Sequence, residues 1–188
     1  MYKSFKNILL LTFLIIGIMF LWACPQPQSY SKIPQIEFKQ VTLFDTIDDI
    51  TLNNPAKGYK LRFSLIDGDG DIGLKETDTI GVDVDTVYVN NYLAMFYEVR
   101  NGDTILVDSL NRYNYRIPYI EPQGQNKTLL ADIYIDYVFN YDRYNNLKYD
   151  SVMFEFFVID RKLNKSNSEK TPILSLKSTG TFPELEKQ

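Results

Sequence analysis

Histidine is absent from the 188 residues, and cysteine occurs once, at Cys24. Without imidazole and without paired thiols, zinc sites of the usual ligand set are excluded, as are serine–histidine and cysteine–histidine nucleophiles. A lone cysteine closes no disulfide within the chain. Most familiar enzyme chemistries leave with these residues. A basic stripe is also missing: the formal charge is −4, which makes the chain a poor nucleic-acid binder. No stretch of a dozen residues carries a helical apolar stripe, and no internal repeat is visible.

What is present begins with Lys3 and Lys6 ahead of an uncharged apolar run from Ile8 to Trp22. That run falls short of the roughly 20 residues a membrane span needs and reads as the core of a signal peptide. It ends in Leu21-Trp22-Ala23-Cys24, which resembles the bacterial lipobox, where cleavage precedes the cysteine and the cysteine carries the lipid. Trp22 is bulkier than is usual there, and a retained signal anchor is the alternative. Cleavage removes residues 1–23 with Lys3 and Lys6, so the formal charge moves from −4 to −6. Acyl chains at about 0.8 kcal/mol per buried methylene then hold the protein on a bilayer. Residues 24–35, the lipidated cysteine and a proline- and glutamine-rich stretch, read as a tether reaching roughly 30 Å as polyproline.

The remainder reads as strands and turns. Expected strands cover Ile36–Phe44, Gly58–Ile66, Val87–Val99, Ile105–Val107, Tyr113–Ile120, Thr128–Phe139, Val152–Asp160 and Ile173–Lys177. Asn101-Gly102 is a strong hairpin signal, and Pro122-Gln123-Gly124 marks another turn. Val152–Asp160 is apolar on both faces, as suits a central strand packed on both sides. Eight short strands in one domain over 36–180, followed by a polar tail at 181–188, predict an all-β, immunoglobulin-like antiparallel β-sandwich. A closed eight-stranded barrel is the alternative. In the immunoglobulin-type order, the loops after the second and seventh strands emerge at one end.

The second of these strands alternates Leu61, Phe63 and Leu65 against Lys60, Arg62 and Ser64, then runs into Asp67-Gly68-Asp69-Gly70-Asp71. Like charges this crowded require water or a cation around them. Calcium takes six to eight oxygens, and carboxylates at alternate positions of a tight turn can converge on one ion. The candidate ligands are Asp67, Asp69, Asp71, Glu76 and Asp78, with Asp160 as a further donor. The spacing resembles the start of an EF-hand loop but has Ile72 where that loop needs glycine, and no flanking helices. A solvated turn that caps nearby backbone N–H groups is the bland alternative.

The late strand leads into Asp160-Arg161-Lys162-Leu163-Asn164-Lys165-Ser166-Asn167, in which Asn164 and Asn167 are candidate binding residues as well as turn formers. Together, DGDGDIG at 67–73, DRKLNKSN at 160–167 and the lipobox at Cys24 resemble a group of uncharacterised Bacteroidota lipoproteins with a single β-sandwich domain. The resemblance implies a lipid-anchored sandwich and no particular activity.

Aspartate, hydroxyl residue, aliphatic recurs six times where composition predicts about one match. This pattern is similar to an O-glycosylation signal of exported Bacteroidota proteins and makes Thr46, Thr79, Thr86, Thr104, Ser109 and Ser151 candidate acceptors. It is equally a natural turn-to-strand junction. Tyr141 and Tyr144, within YVFNYDRYNNLKY, offer the flat apolar faces and polar edges of a recognition loop. Paired carboxylates for glycoside hydrolysis are numerous, but none is singled out. The sequence thus predicts a non-enzymatic outer-membrane lipoprotein that binds a protein or glycan partner, with calcium ordering its acid loop. No acidic run follows Cys24; such a run would resemble the surface-export signal of these bacteria, so the resemblance implies the periplasmic face over the cell surface. The rival readings are an assembly subunit of an outer-membrane complex and a small hydrolase.

Overall fold

In this computed structural model, residues 7, 29–48, 54–78, 80–81, 87–88, 90–108, 113–121, 127–141 and 147–183 are described. Cys24, Thr79, Thr86, Ser109 and Tyr144 lie outside them.

Among the described residues, eleven strands run in chain order: β1 (Gln35–Asp48), β2 (Asn54–Asp67), β3 (Ile80–Gly81), β4 (Val87–Tyr88), β5 (Tyr92–Arg100), β6 (Asp103–Asp108), β7 (Leu129–Asn140), β8 (Ser151–Val158), β9 (Glu169–Lys170), β10 (Leu174–Ser175) and β11 (Gly180–Pro183). One antiparallel sheet has the order β11-β1-β2-β7. The other has β10-β8-β5-β6, with β9 beside β10 on the same edge of β8. The long strands follow immunoglobulin order: β1, β2 and β7 take the A, B and E places, and β6, β5, β8 and the broken β9/β10 edge take C′, C, F and G. This is an open all-β sandwich of two sheets, not a closed barrel.

The period of two in β2 sends Tyr59, Leu61, Phe63 and Leu65 inward, all fully buried. They meet Tyr92 and Phe96 of β5 and Val152, Phe154, Phe156 and Val158 of β8. Aromatic rings fill the gap between the sheets. Tyr137 stacks on Phe154 at 4.4 Å, and Phe63 packs against Phe156 at 5.2 Å. In β1 the inward period is interrupted at Lys39, where the pairing with β2 shifts register between Phe38 and Gln40. That bulge puts Phe38 and Val41 on the same buried face although they are three residues apart.

Four expectations change. The long strand expected over 87–99 is divided: β4 pairs with β3, and β5 starts afresh at Tyr92, after the buried Asn91. Residues 113–120 form no strand. They reach the sheets through the Tyr92–Tyr115 bridge, the Ala94 N–H on Asn114 Oδ1 at 2.8 Å and the Tyr113 ring against Phe96 and Phe154, while Pro118 bridges to Leu74 and has no N–H to donate to a ladder. β8 is central but covered on one face. Met153, Glu155 and Phe157 on the other face are half-exposed, with the Lys165 ammonium over the Phe157 ring at 3.7 Å. β11 also runs three residues past the expected domain end and completes the β1 edge.

Candidate metal centre

Asp67 is the last residue of β2, opposite Leu129 of β7. Its carboxylate reaches over the turn, and Oδ2 accepts the Asp71 N–H at 2.8 Å. The two glycines permit this tight course. Gly68 donates its N–H to the Ser31 carbonyl at 2.8 Å, and a Cβ there would lie 2.4 Å from the Tyr30 oxygen. Gly70 has φ of +63°, and a Cβ would lie 2.0 Å from the Lys127 oxygen. Beyond the acids, Ile72 and Leu74 turn inward and fix the loop. Asn91 locks it from beneath: Nδ2 donates to the Ile72 carbonyl, and Oδ1 accepts the Ile117 N–H at 2.6 Å.

This course gathers Asp67, Asp69 and Asp71 so that one carboxylate oxygen from each lies within 4.8 Å of the others. Asp67 is wholly buried. Oδ1 of each of the three aspartates is shielded from water and accepts no hydrogen bond. A buried acceptor without a donor is costly, more so when charged. Burial pushes the Asp67 carboxyl up to about 6, opposed by the Asp71 N–H and reinforced by the charges of Asp71 and Asp69. Burial raises Asp69 too, but contact with the Lys162 ammonium outweighs it and holds that carboxyl below its usual value.

The counter-charge comes from the second loop. Lys162 Nζ pairs with Asp69 Oδ2 and, at 2.9 Å, with Asp71 Oδ2. The Arg161 N–H and Nε both donate to the Asp71 carbonyl, at 3.2 and 2.9 Å. The loops after β2 and β8 therefore meet, as the strand order requires. Over them lies a pocket of about 630 Å³ lined by Asp69, Asp71, Tyr119, Lys127, Arg161 and Lys162, among others. The Tyr119 ring carries two cations, Lys75 and Arg161, each 4.9 Å from its centroid.

The other candidates stand apart from the triad. Glu76 is exposed on the following turn, and Asp78 Oδ2 accepts the Lys75 N–H at 2.9 Å. Asp160 is fully buried and hydrogen-bonded at both oxygens, accepting the Lys162 N–H, the Asn164 N–H and the Asn164 amide within 2.8 Å. It shapes its own loop. Asn164 is held by that contact. Asn167 pairs with both backbone groups of Ile36 and with Glu169, tying the loop to β1. Both amides thus act as internal ties. Tyr141 is half-buried in a bridge to Leu147. Of the hydroxyl candidates, Thr104 is exposed on β6, Thr46 is half-buried on the β1 arm, and Ser151 begins β8 opposite Ser175.

Sequence reasoning missed Lys162 as counter-ion, Asn91 as loop lock and Ser31 as the loop's partner. The spacing of charges at 67–71 gave no sign of a lysine more than ninety positions away. No protein-family model, curated protein or solved structure matches the chain.

Proposed function

We propose that the chain is a lipid-anchored envelope lipoprotein whose sandwich is a non-catalytic recognition module, with calcium ordering the Asp67–Asp71 loop. The observation that carries the calcium reading is the set of three shielded carboxylate oxygens without donors. Three carboxylates supply part of calcium's six to eight oxygens and leave the remaining positions for water or a ligand on the pocket side. The anchor reading draws on the lipobox at Cys24 and on the resemblance to Bacteroidota lipoproteins, and the lack of acids after Cys24 favours the periplasmic leaflet.

Calcium titration followed by thermal melting tests the ion. Binding to the native state alone stabilises by about 2.7 kcal/mol at a hundred times Kd. Calcium is expected to raise Tm, chelator to reverse the rise, and Asp69→Ala to remove it. A chelator-insensitive Tm sinks the reading.

A hydrolase is disfavoured because Asp67, the acid with the raised pKa, is not among the residues lining the pocket. The assembly-subunit reading has one observation in its favour. β6 is an edge strand with Ile105, Leu106 and Val107 all exposed, and such edges invite pairing with another chain.

A further inference from the structure

The route by which the chain enters the sandwich bears on what the acid loop faces. Tyr30 and Ser31 lie against Gly68, so the N-terminal segment joins the fold at the pole that carries the triad. Cys24 precedes Ser31 by seven residues, which span at most about 25 Å. β2 alone, from Asn54 to Asp67, runs about 43 Å from the far pole to this one. A lipid on Cys24 therefore keeps the acid-loop pole beside the bilayer, while the Asn101–Gly102 turn lies at the other end.

The surface at this pole suits a layer of phosphates. Lys127, Arg161 and Lys162 are exposed around the pocket. Ile33 and Ile120, 53% and 48% exposed, project beside Ser31 and Tyr119 as apolar contacts for an interface. Without an ion, Lys127, Arg161, Lys162 and the Lys75 that sits over the Tyr119 ring face Asp67, Asp69, Asp71 and Glu121, which leaves no net positive charge for phosphate. A divalent ion tips that balance positive. It also takes over the neutralisation that Lys162 gives Asp69 and Asp71 and releases that ammonium outward.

We propose that, with calcium in the aspartate triad, this pole docks on the phosphate headgroups of the membrane that holds the chain's own lipid. The inference rests on the anchor and calcium readings above and names their envelope component as the headgroup layer. Anionic lipid surfaces attract juxtamembrane cations at short range, and bound calcium supplies open positions for phosphate oxygens.

The test uses the full lipidated chain with Ile120→Cys, labelled with an environment-sensitive fluorophore and reconstituted in phosphatidylglycerol-containing vesicles. Calcium is expected to bring a blue shift and a severalfold rise in quenching by brominated lipid. Chelator should reverse both, and a label at Asp103→Cys, at the far pole, should show neither. Asp67→Asn, or Asp69→Asn where the former folds poorly, should abolish the calcium response. If mass confirms the lipid and calcium raises Tm, yet the label at 120 stays as in water, docking is overturned while both readings stand. If the lipid is absent or Tm ignores calcium, those readings fail and the docking fails with them. Quenching that persists in chelator overturns the role given to the ion.

Discussion

Asp67 is the residue on which the acid loop turns, because it both accepts the Asp71 N–H across the turn and buries a carboxylate. Its folded pKa of about 6 lies above the ordinary carboxyl value of 3.8, so its contribution to stability is full below the lower value and lost as pH rises through the upper one. Metal-free protein at pH 7.5 therefore carries a penalty on the order of 2–3 kcal/mol from this group. Asp67→Asn keeps an acceptor for the Asp71 N–H and removes the charge. In chelator it should be more stable than the parent at pH 7.5 by urea unfolding, and the gap should narrow as pH falls from about 6 and close below about 3.8. A parent less stable than the variant at acid pH as well would contradict this account. Asn91→Ala leaves the Ile72 carbonyl and Ile117 N–H buried without partners, a loss of about 2–4 kcal/mol. Faster amide exchange at Ile117 would report it. The triad was legible in the sequence because its charges sit side by side in the chain. The hydrogen bonds that Asp160 accepts were not legible, because they depend on the backbone folding back over it, which spacing does not encode.

At the scale of elements, alternation identified β2 and its inward residues, because a period of two reports one buried face directly. It missed the outward face of β8, where Met153 and Phe157 look buried by type yet are only half-covered. It also joined β4 to β5, since Asn90-Asn91 reads as a short polar interruption in an apolar run, although the Asn91 amide works as a cross-brace. The bulge at Lys39 escaped for a related reason: an inserted residue breaks the period that detection relies on. β8 is where the packing concentrates. The Phe154 ring lies within 6.5 Å of those of Tyr59, Phe96, Tyr113, Tyr137 and Phe139. Phe154→Ala should cost about 3–5 kcal/mol in denaturant unfolding. A loss under 1 kcal/mol would mean that the rings close over the gap.

At the scale of the molecule, one pole carries the acid loop and the chain's entry, and one flank carries the bare edge of β6. Three exposed aliphatics on that edge predict slow self-association, and Leu106→Lys should suppress it in sedimentation velocity without lowering Tm. A variant that associates like its parent would acquit this strand. The two-sheet architecture was readable from strand count and turn spacing. The closing of β1 by β11 was not, because Gly180–Pro183 is too short to show a period.

That last pairing has a consequence for how the chain is made. β1 is among the first parts of the domain to be synthesised, and its partner on the outer side is the last. From the moment Gln40–Leu43 emerge until Gly180 follows, a ribbon of amides stands open along one side of the nascent body, receptive to the corresponding tail of a sister molecule. Clipping the chain after Ser178 makes that openness permanent and turns a transient of biogenesis into a route to exchanged dimers.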